Sequence, residues 1–280
     1  MIGESYWSNW IQLNHSQVLE SDVKHVDGVY KIRARELPGY VYIGETSNLR
    51  RRIRTLDRKI NQGEIPFRDP HTAAPCLWAI NQEFGPKLEV SYQNLPEADD
   101  RIRKGYEAFL IAQHRKKYGY SPIANFGRIL PGYVQSSYRE KGKRGEKTQD
   151  IELKLEKIPE KMIDAPPLDW KKLEKVRSND WLNLSWTKPR KMNLENIKKI
   201  PMKNGFYRIW KDSKEILTYI GQSKKLKNRL KTHNRKMKDN YSFSVAIKED
   251  LTKKPQNLAT ETEMIGVHFK AKNEPPKKQF

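Results

Sequence analysis

Two short motifs with chemically reactive side chains occur twice in this chain of 280 residues. In both places a Gly-apolar-Tyr triplet precedes Tyr-Ile-Gly at the same spacing, at residues 28–30 and 42–44 and at residues 205–207 and 219–221. An arginine, Arg52 or Arg229, stands at the same offset after each second glycine. A guanidinium can form two parallel hydrogen bonds to an anion, and a phenol hydroxyl both donates and accepts. A single tyrosine would suit packing in a strand, but the matched spacing indicates a duplicated functional module.

A glutamate with apolar neighbours lies on the last predicted helix of each copy. Glu107 and Glu261 are both followed by apolar residues after three and four positions, so each shares an apolar helix face. A carboxylate on an inward face is costly to bury unless it is paired or coordinates a cation. A salt bridge at the helix edge is the alternative. Glu263, two positions further on, faces elsewhere and is the weaker candidate.

The elements that must position these side chains are predicted in the same order in both copies. Apolar periodicity and turn residues predict a β-hairpin, a basic helix, a third strand and a long last helix. The predicted strands are 28–34, 40–45 and 88–95, then 206–210, 218–221 and 243–247; the predicted helices are 49–61, 99–118, 224–237 and 258–270. We expect an α/β (α+β) chain of two small domains, each a three-stranded, mainly antiparallel sheet flanked by helices.

Spacing and composition divide the chain into four predicted parts. The distance from arginine to glutamate is longer in the first copy, which indicates an insertion near 57–80 that includes a further helix around Trp78. The parts are an N-terminal segment at 1–27, a first module at 28–130, a basic linker with tryptophans at 131–204 and a second module at 205–280.

Tryptophans precede each predicted hairpin. Trp7 and Trp10 lie before the first one, and Trp170, Trp181 and Trp186 lie before the second. A short packing element in front of each hairpin explains this arrangement, because tryptophan buries a large apolar surface. Base stacking or wedge insertion into a nucleic acid is the alternative.

The chain is strongly basic. Its formal net charge is +21, from 55 Lys and Arg against 34 Asp and Glu. This charge favours a polyanionic partner, because each Lys or Arg on a phosphate releases condensed counterions. Together with the aromatic residues it predicts nucleic acid, with a solvated surface or anionic lipid as alternatives. The Gly/Lys/Arg run at 139–147 predicts a mobile or DNA-touching linker.

Other classes of protein fit the sequence poorly. No apolar run approaches the ~20 residues that span a bilayer, and the first residues lack the basic-then-apolar order of a secretion signal. Cys76 is the single cysteine, which excludes an internal disulfide and a cysteine metal cluster. We therefore expect no membrane partner and a reducing cytosol.

Gly-x-Tyr, Tyr-Ile-Gly, a helix arginine and a later glutamate together resemble the GIY-YIG nuclease family. The resemblance covers roughly residues 28–126 and 205–280. It implies a small α/β domain that hydrolyses DNA phosphodiesters with one divalent metal ion, Mg²⁺ or Mn²⁺. The implied roles are activation of the attacking water by Tyr30 and Tyr207, its orientation by Tyr42 and Tyr219, phosphate binding by Arg52 and Arg229, and metal binding by Glu107 and Glu261.

The two copies depart from the family pattern at different places. Many family members have a histidine one helical turn after the arginine; His233 fits this position in the second copy, and Leu56 replaces it in the first. A core-edge residue is the alternative role for His233. Asn125 fits the closing Pro-x-x-Asn of the family, whereas the second copy has Gln279 where Asn125 would align. We include Asn125 and His233 among the candidate catalytic residues.

The resemblance leads to a functional hypothesis. We expect a Mg²⁺-dependent DNA endonuclease of the type II restriction kind, which cuts both strands of double-stranded DNA with two modules in one chain. Such a chain would act as a monomer in a prokaryotic cytosol, with a separate methyltransferase that protects host DNA. The alternatives are a DNA repair or mobile-element nuclease, and a protein in which one module is catalytic and the other only binds DNA.

Overall fold

The protein forms two compact units in a computed structural model. The model describes residues 6–67, 72–85, 88–96, 98–137, 142–150, 162–237, 240–249 and 254–280. The first unit comprises Met1–Arg103 and His114–Asp164, and the second comprises Lys104–Gln113 and Ala165–Phe280. The segment at 131–204, which the sequence predicts to be a linker, is divided between the two units. The predicted domain boundaries stay predictions.

The first part of the chain forms a four-stranded antiparallel sheet with helices. Its elements are β1 (Ile11–Gln12), α1 (His15–Glu20), β2 (Gly28–Ala34), β3 (Tyr42–Thr46), α2 (Leu49–Ile60), α3 (Ala74–Phe84), β4 (Leu88–Asn94) and α4 (Asp100–Tyr118). The strands are ordered β1-β4-β2-β3, and each neighbouring pair is antiparallel. A buried row on α2, which includes Leu49, Ile53 and Leu56, faces the core.

The second part repeats this architecture. Its elements are β5 (Arg190–Lys191), α5 (Leu194–Lys198), β6 (Gly205–Lys211), β7 (Leu217–Ser223), α6 (Leu226–Lys236), β8 (Tyr241–Ile247) and α7 (Lys254–Lys272). The strand order is β5-β8-β6-β7, which is the order of the first sheet element for element. In both sheets the hairpin strand that carries Gly-apolar-Tyr lies between its hairpin partner and the third long strand.

The mixed α/β class with two antiparallel sheets is confirmed, but the prediction of three strands per sheet is wrong. Each sheet has a fourth strand at its edge, β1 or β5, and each of these has two residues. Two residues are too few to produce the alternation by which a strand is recognised in a sequence. Both short strands come from the segments that precede the hairpins.

Buried tryptophans in the second unit surround a cation rather than facing solvent. Trp181 and Trp186 are 0% and 4% exposed. The Arg208 guanidinium lies 4.3 Å from the ring centre of Trp186 and donates to Ser244 Oγ at 2.7 Å and to the carbonyl of Val176 at 2.6 Å. Burial lowers the pKa of Arg208 to about 9. The packing interpretation is thus confirmed for these two tryptophans.

The N-terminal tryptophans form a similar arrangement in the first unit. Lys31, which follows the motif tyrosine as Arg208 does, has its ammonium 3.9 Å from the ring centre of Trp7. Arg33 lies 4.0 Å from the ring centre of Trp10. Burial, reinforced by the charge of Arg33, lowers the pKa of Lys31 to about 8. In both copies the short segment before the hairpin therefore packs on basic residues of the central strand.

The basic run at 139–147 is ordered where the structure describes it. Residues 139–141 lie outside the described residues. Arg144 pairs with Glu64 at 3.1 Å, and Lys147 pairs with Glu83 at 2.9 Å. The backbone N–H of Ser137 also donates to the carbonyl of Lys143 at 2.9 Å. Residues 142–147 thus make contacts within the first unit, and the prediction of a mobile or DNA-touching linker stays a prediction.

None of the described helices combines the length and the apolar character that crossing a bilayer requires.

Candidate active site

The tyrosine of the second Gly-apolar-Tyr motif is the centre of a buried hydrogen-bonded cluster. Tyr207 on β6 is 2% exposed. Its hydroxyl accepts a hydrogen bond from Arg229 Nε at 3.0 Å and lies 3.0 Å from His233 Nε2. Arg229 and His233 are four residues apart on α6, so they project from the same helix face. The structure therefore joins three of the predicted site residues through one oxygen atom.

A glycine on the neighbouring strand makes room for this tyrosine. Tyr207 and Gly221 are cross-strand partners, and a Cβ at Gly221 would collide with the phenol hydroxyl and its ring carbon. The same arrangement occurs in the first unit, where Tyr30 pairs with Gly44 and a Cβ there would lie 2.8 Å from the Tyr30 hydroxyl. The glycine of Tyr-Ile-Gly is thus required by the tyrosine of the other motif.

The glycine that opens each Gly-apolar-Tyr triplet is required for a different steric reason. A Cβ at Gly28 would collide with the carbonyl oxygen of Gln93 on β4, and one at Gly205 would collide with that of Ala246 on β8. Both glycines let the third long strand approach the hairpin closely. The two motifs are therefore packing requirements of one strand arrangement, which holds the tyrosine in place.

The second tyrosine of this copy lies against the imidazole with its ring tilted by 53°. The ring centres of Tyr219 and His233 are 4.7 Å apart, and those of Tyr207 and His233 are 5.2 Å apart. His233 is 6% exposed. Burial lowers its pKa to about 4, and the positive charges of Arg229 and Lys236 act in the same direction. The imidazole is therefore neutral at pH 7. Its Nε2 can accept a hydrogen bond from the Tyr207 hydroxyl when Nδ1 carries the ring hydrogen.

Opposing influences act on the Tyr207 hydroxyl. The pKa of the hydroxyl is raised above its usual value, because burial outweighs the hydrogen bond and the charge of Arg229, which lower it. The charge of Arg229 favours the phenolate form. A phenolate in this position can accept a proton from a water molecule, which is the chemistry of a general base.

The glutamate of the last helix lies near this cluster. Glu261 on α7 is half-buried, but its carboxyl group is enclosed enough that burial raises its pKa from 4.5 to about 7. The charge of Arg229 and a hydrogen bond from the Gln222 backbone oppose this increase. Glu263 lies in a different environment: it is 0% exposed and accepts from the Leu168 backbone N–H at 3.0 Å. The prediction that Glu263 faces elsewhere is confirmed.

The corresponding residues of the first copy are divided between the units. Tyr30 is fully buried, and its ring centre lies 5.7 Å from that of Tyr42. Arg52 on α2 is half-buried in the same unit. Leu56, at the position of His233, is 1% exposed and contributes to the core. Glu107 is half-buried on α4, within the segment Lys104–Gln113 that belongs to the second unit.

An amide side chain that follows the last helix of each copy binds the strand that carries Tyr-Ile-Gly. Asn125 Nδ2 donates to the Ile43 carbonyl at 2.8 Å, and Asn125 Oδ1 accepts from the Ile43 N–H at 3.1 Å. Gln279 Oε1 accepts from the Ile220 N–H at 2.9 Å. Gln279 therefore occupies the place of Asn125, as the sequence alignment of the two copies indicates. These contacts position the strand, while a catalytic role for Asn125 stays a prediction.

Sequence reasoning missed a pair of histidines with identical contacts in the two copies. His114 Nε2 accepts from the Tyr40 N–H at 3.0 Å, and His268 Nε2 accepts from the Leu217 N–H at 3.1 Å. Because Nε2 accepts, Nδ1 must carry the hydrogen, and it donates to a carbonyl six residues further on in each case. Burial lowers the pKa of both histidines to about 4.

These histidines fix the rotation of the last helices. Each lies seven residues after the candidate glutamate, Glu107 or Glu261. Seven residues make about two helical turns, so histidine and glutamate lie close to one helix face. The repeated Glu-x₆-His pattern was the sequence signal that could have revealed the pair. It also supports the equivalence of Glu107 and Glu261.

The site offers few protein ligands for a metal. Within the part of the chain that the structure describes, no group of three or more His, Cys, Asp or Glu side chains could hold an ion. A single enclosed carboxylate such as Glu261 matches Mg²⁺, which keeps several waters and is often bound through one or two carboxylates and substrate phosphates. The donor set therefore fits one Mg²⁺ completed by water and substrate oxygens.

Comparison with known protein families identifies one domain. Residues 203–274 match the family described as the GIY-YIG catalytic domain. The matched residues include Tyr207, Tyr219, Arg229 and Glu261, so the chain has one GIY-YIG catalytic domain at residues 203–274. The match does not extend to the first copy, and the prediction of two tandem domains stays a prediction. Searches of curated proteins and of solved structures found no match.

Proposed function

We propose that the chain is a Mg²⁺-dependent DNA endonuclease with two GIY-YIG modules, which cuts both strands of double-stranded DNA. One observation carries the proposal: the Tyr207 hydroxyl is 3.0 Å from both Arg229 Nε and His233 Nε2. Beside it lies Glu261, whose pKa burial raises to about 7. A base, a cation and a carboxylate at one point suit phosphodiester hydrolysis better than structural packing.

The residues of the second copy divide the chemical work among them. Tyr207, as a phenolate stabilised by Arg229, takes a proton from the attacking water, and the water oxygen attacks phosphorus as hydroxide. Arg229 uses Nε to hold Tyr207. Among the described residues its two Nη groups have no hydrogen-bond partner, which leaves them for the scissile phosphate. The bond between phosphorus and the departing sugar oxygen then breaks, and that oxygen takes a proton from solvent water.

The metal would be held by Glu261 in this copy and by Glu107 in the other. A bound Mg²⁺ or Mn²⁺ supplies Lewis-acid stabilisation of the charge that develops on the phosphate and on the departing oxygen. An enclosed carboxylate is more stable beside a cation, and this supports Glu261 as a ligand. Tyr219, whose ring lies beside that of His233, would keep the water aligned with Tyr207.

The proposal of a second module is supported by structural features that occur in both parts of the chain. The two sheets have the same strand order. Each motif tyrosine pairs with a glycine across the hairpin, and His114 and His268 make the same two contacts. Duplex strands run antiparallel, so two sites in one chain suit a monomer that cuts both. We favour a type II restriction role, with a separate methyltransferase protecting the host.

A second candidate function follows from a difference between the two copies at the position of His233. Leu56 is buried where His233 would lie and can neither donate nor accept a hydrogen bond. The first copy therefore has a leucine where the second copy has the imidazole that contacts the Tyr207 hydroxyl. In this alternative, the first module binds DNA and the second cuts it. The chain would then nick one strand.

Replacement of the tyrosine hydroxyl tests the proposed chemistry. We expect Tyr207→Phe to lower the rate of supercoiled plasmid cleavage with Mg²⁺ by about 10²–10⁴-fold, the usual effect of losing a general base. Phenylalanine preserves the ring, so the fold should persist. Tyr241→Phe is the matched control, because Tyr241 is a half-buried tyrosine of the same sheet and should retain the parent rate. Full activity of Tyr207→Phe, or no cleavage by the parent with any divalent ion, would contradict the proposal.

A further inference from the structure

A groove of about 840 Å³ lies on the first unit, along the side of α2 that faces away from the sheet. Helix α2 lines it with Arg51, Arg54 and Arg58, while α1 contributes Val18 and Leu19. None of the candidate catalytic residues lines this groove. It therefore needs an explanation separate from the hydrolytic site.

The arginines give the groove a continuous positive edge. They lie on successive turns of α2, and seven residues at about 1.5 Å each make a row of roughly 10 Å. Among the described residues, no acidic side chain pairs with any of the three. Arg54 Nε is shielded from solvent and has no hydrogen-bond partner there. A buried donor of this kind is satisfied when an acceptor binds, and a row of this length exceeds the reach of one small anion.

The acidic residue of the groove does little to cancel this charge. Asp57 Oδ1 accepts a hydrogen bond from Asn61 Nδ2 at 2.9 Å, and Oδ2 lies 3.7 Å from His15 Nδ1. Burial raises the pKa of Asp57. Three arginines line the groove against this one carboxylate, so its lining keeps a net positive charge. The groove thus complements a ligand with several negative charges.

Beside polar residues such as Asn48 and Thr55, the groove also presents flat and apolar side chains. Leu19 is 45% exposed, and the side chain of His15 is 83% exposed. His25, also exposed, lies at the other end beside Asn48. Unstacked bases pack on histidine rings, on guanidinium planes and on apolar side chains. Bases within an intact duplex cannot offer their faces to such a surface.

We propose that this groove binds an unpaired stretch of a DNA strand, with phosphates along Arg51, Arg54 and Arg58 and a base against Leu19 and His15. The inference takes DNA as the partner from the proposed nuclease function and adds a substrate class, DNA with locally separated strands. Binding here would hold a strand beside α2, the helix that also carries Arg52.

Binding without cleavage tests the groove. The full chain, in EDTA, is titrated into a fluorescent oligothymidylate and into a blunt duplex of equal length, and anisotropy is recorded. We expect Arg51→Ala/Arg54→Ala/Arg58→Ala to lose about tenfold or more in affinity for the oligothymidylate. Leu19→Glu should lose affinity in the same assay. Both variants should lose much less affinity for the blunt duplex.

Matched controls separate the groove from bulk charge. Lys188→Ala/Lys198→Ala/Lys214→Ala removes three exposed charges from the second unit, and Leu194→Glu changes an exposed leucine on another helix. Both should bind the oligothymidylate within about twofold of the parent. Circular dichroism melts establish that each variant is folded.

Three results would overturn the proposal. The first is an equal loss of affinity in groove and control variants, since bulk charge would then explain binding. The second is an equal loss for duplex and oligothymidylate. The third is competition by free thymidine monophosphate as strong as that by the oligonucleotide, which would assign the groove to a free nucleotide. None of these depends on hydrolysis, so failure here is distinct from failure of Tyr207→Phe, which should bind normally.

Discussion

At the scale of single residues, Tyr207 differs from an ordinary core tyrosine in what its hydroxyl contacts. A packed tyrosine needs one partner for its hydroxyl, whereas Tyr207 has the cation Arg229 and the neutral imidazole of His233 at 3.0 Å each. In the first copy, the buried Leu56 occupies the helix position that corresponds to His233. The two copies therefore differ at the position of this imidazole.

Glu261 provides a test of the metal site that does not depend on activity. Its pKa is raised in the folded state, so the stability it contributes is present below pH 4.5 and is lost as the pH rises through about 7. In metal-free buffer at pH 8, Glu261→Gln should therefore unfold at a higher temperature than the parent. That difference should vanish near pH 4.5.

Addition of Mg²⁺ at pH 8 should raise the Tm of the parent more than that of Glu261→Gln, because an ion that binds the folded state stabilises it. Glu263 would make a poor control, since it anchors the Leu168 backbone. Glu249→Gln is better, because Glu249 is an exposed surface carboxylate paired with Lys203. Equal Mg²⁺ shifts in Glu261→Gln and the parent would exclude Glu261 as a ligand.

At the scale of elements, the hairpin glycine is the feature that fixes the tyrosine. Gly221→Ala should displace the Tyr207 ring, cost about 1–3 kcal/mol of unfolding free energy and break the contacts with Arg229 and His233. Denaturant unfolding and plasmid cleavage measure these effects. Gly63→Ala is the control, because no atom lies within 4 Å of a Cβ built there. A Gly221→Ala protein with parental stability and cleavage rate would contradict this role for the glycine.

Local signals in the sequence predicted most of the long elements. Asn48 caps α2, accepting from the Arg51 N–H at 2.9 Å, and Gly119 ends α4 with a φ of 87°. The β2 strand has the predicted bounds. These features depend on residues that are close together in the chain. Capping residues, apolar periodicity and glycines in the left-handed conformation therefore predict them from the sequence.

The remaining features depend on contacts between distant residues. The hydrogen bond of His114 to the Tyr40 backbone joins residues 74 positions apart, and the pairing of β1 with β4 joins segments that share no pattern. The cluster around Tyr207 was predictable only as a set of candidates through the family resemblance. Its geometry depends on the cross-strand pairing of Tyr207 with Gly221, which no local signal specifies.

At the scale of the whole molecule, the proposal of two modules has the largest functional consequence. Two sheets with one strand order and two histidines with one set of contacts support this proposal. The second copy has an imidazole beside its tyrosine, whereas the first has Leu56 at the corresponding helix position. If both copies cut, one chain can make a double-strand break without dimerising.

The products of supercoiled plasmid cleavage by Glu107→Gln and Glu261→Gln test this claim most directly. The parent should yield linear DNA in Mg²⁺, and each variant should stop at nicked circles because one site remains. Nicking by Glu261→Gln should be the slower of the two, since its surviving site has Leu56 in place of the imidazole. Linear DNA formed at the parental rate by either variant would contradict two modules that each cut one strand.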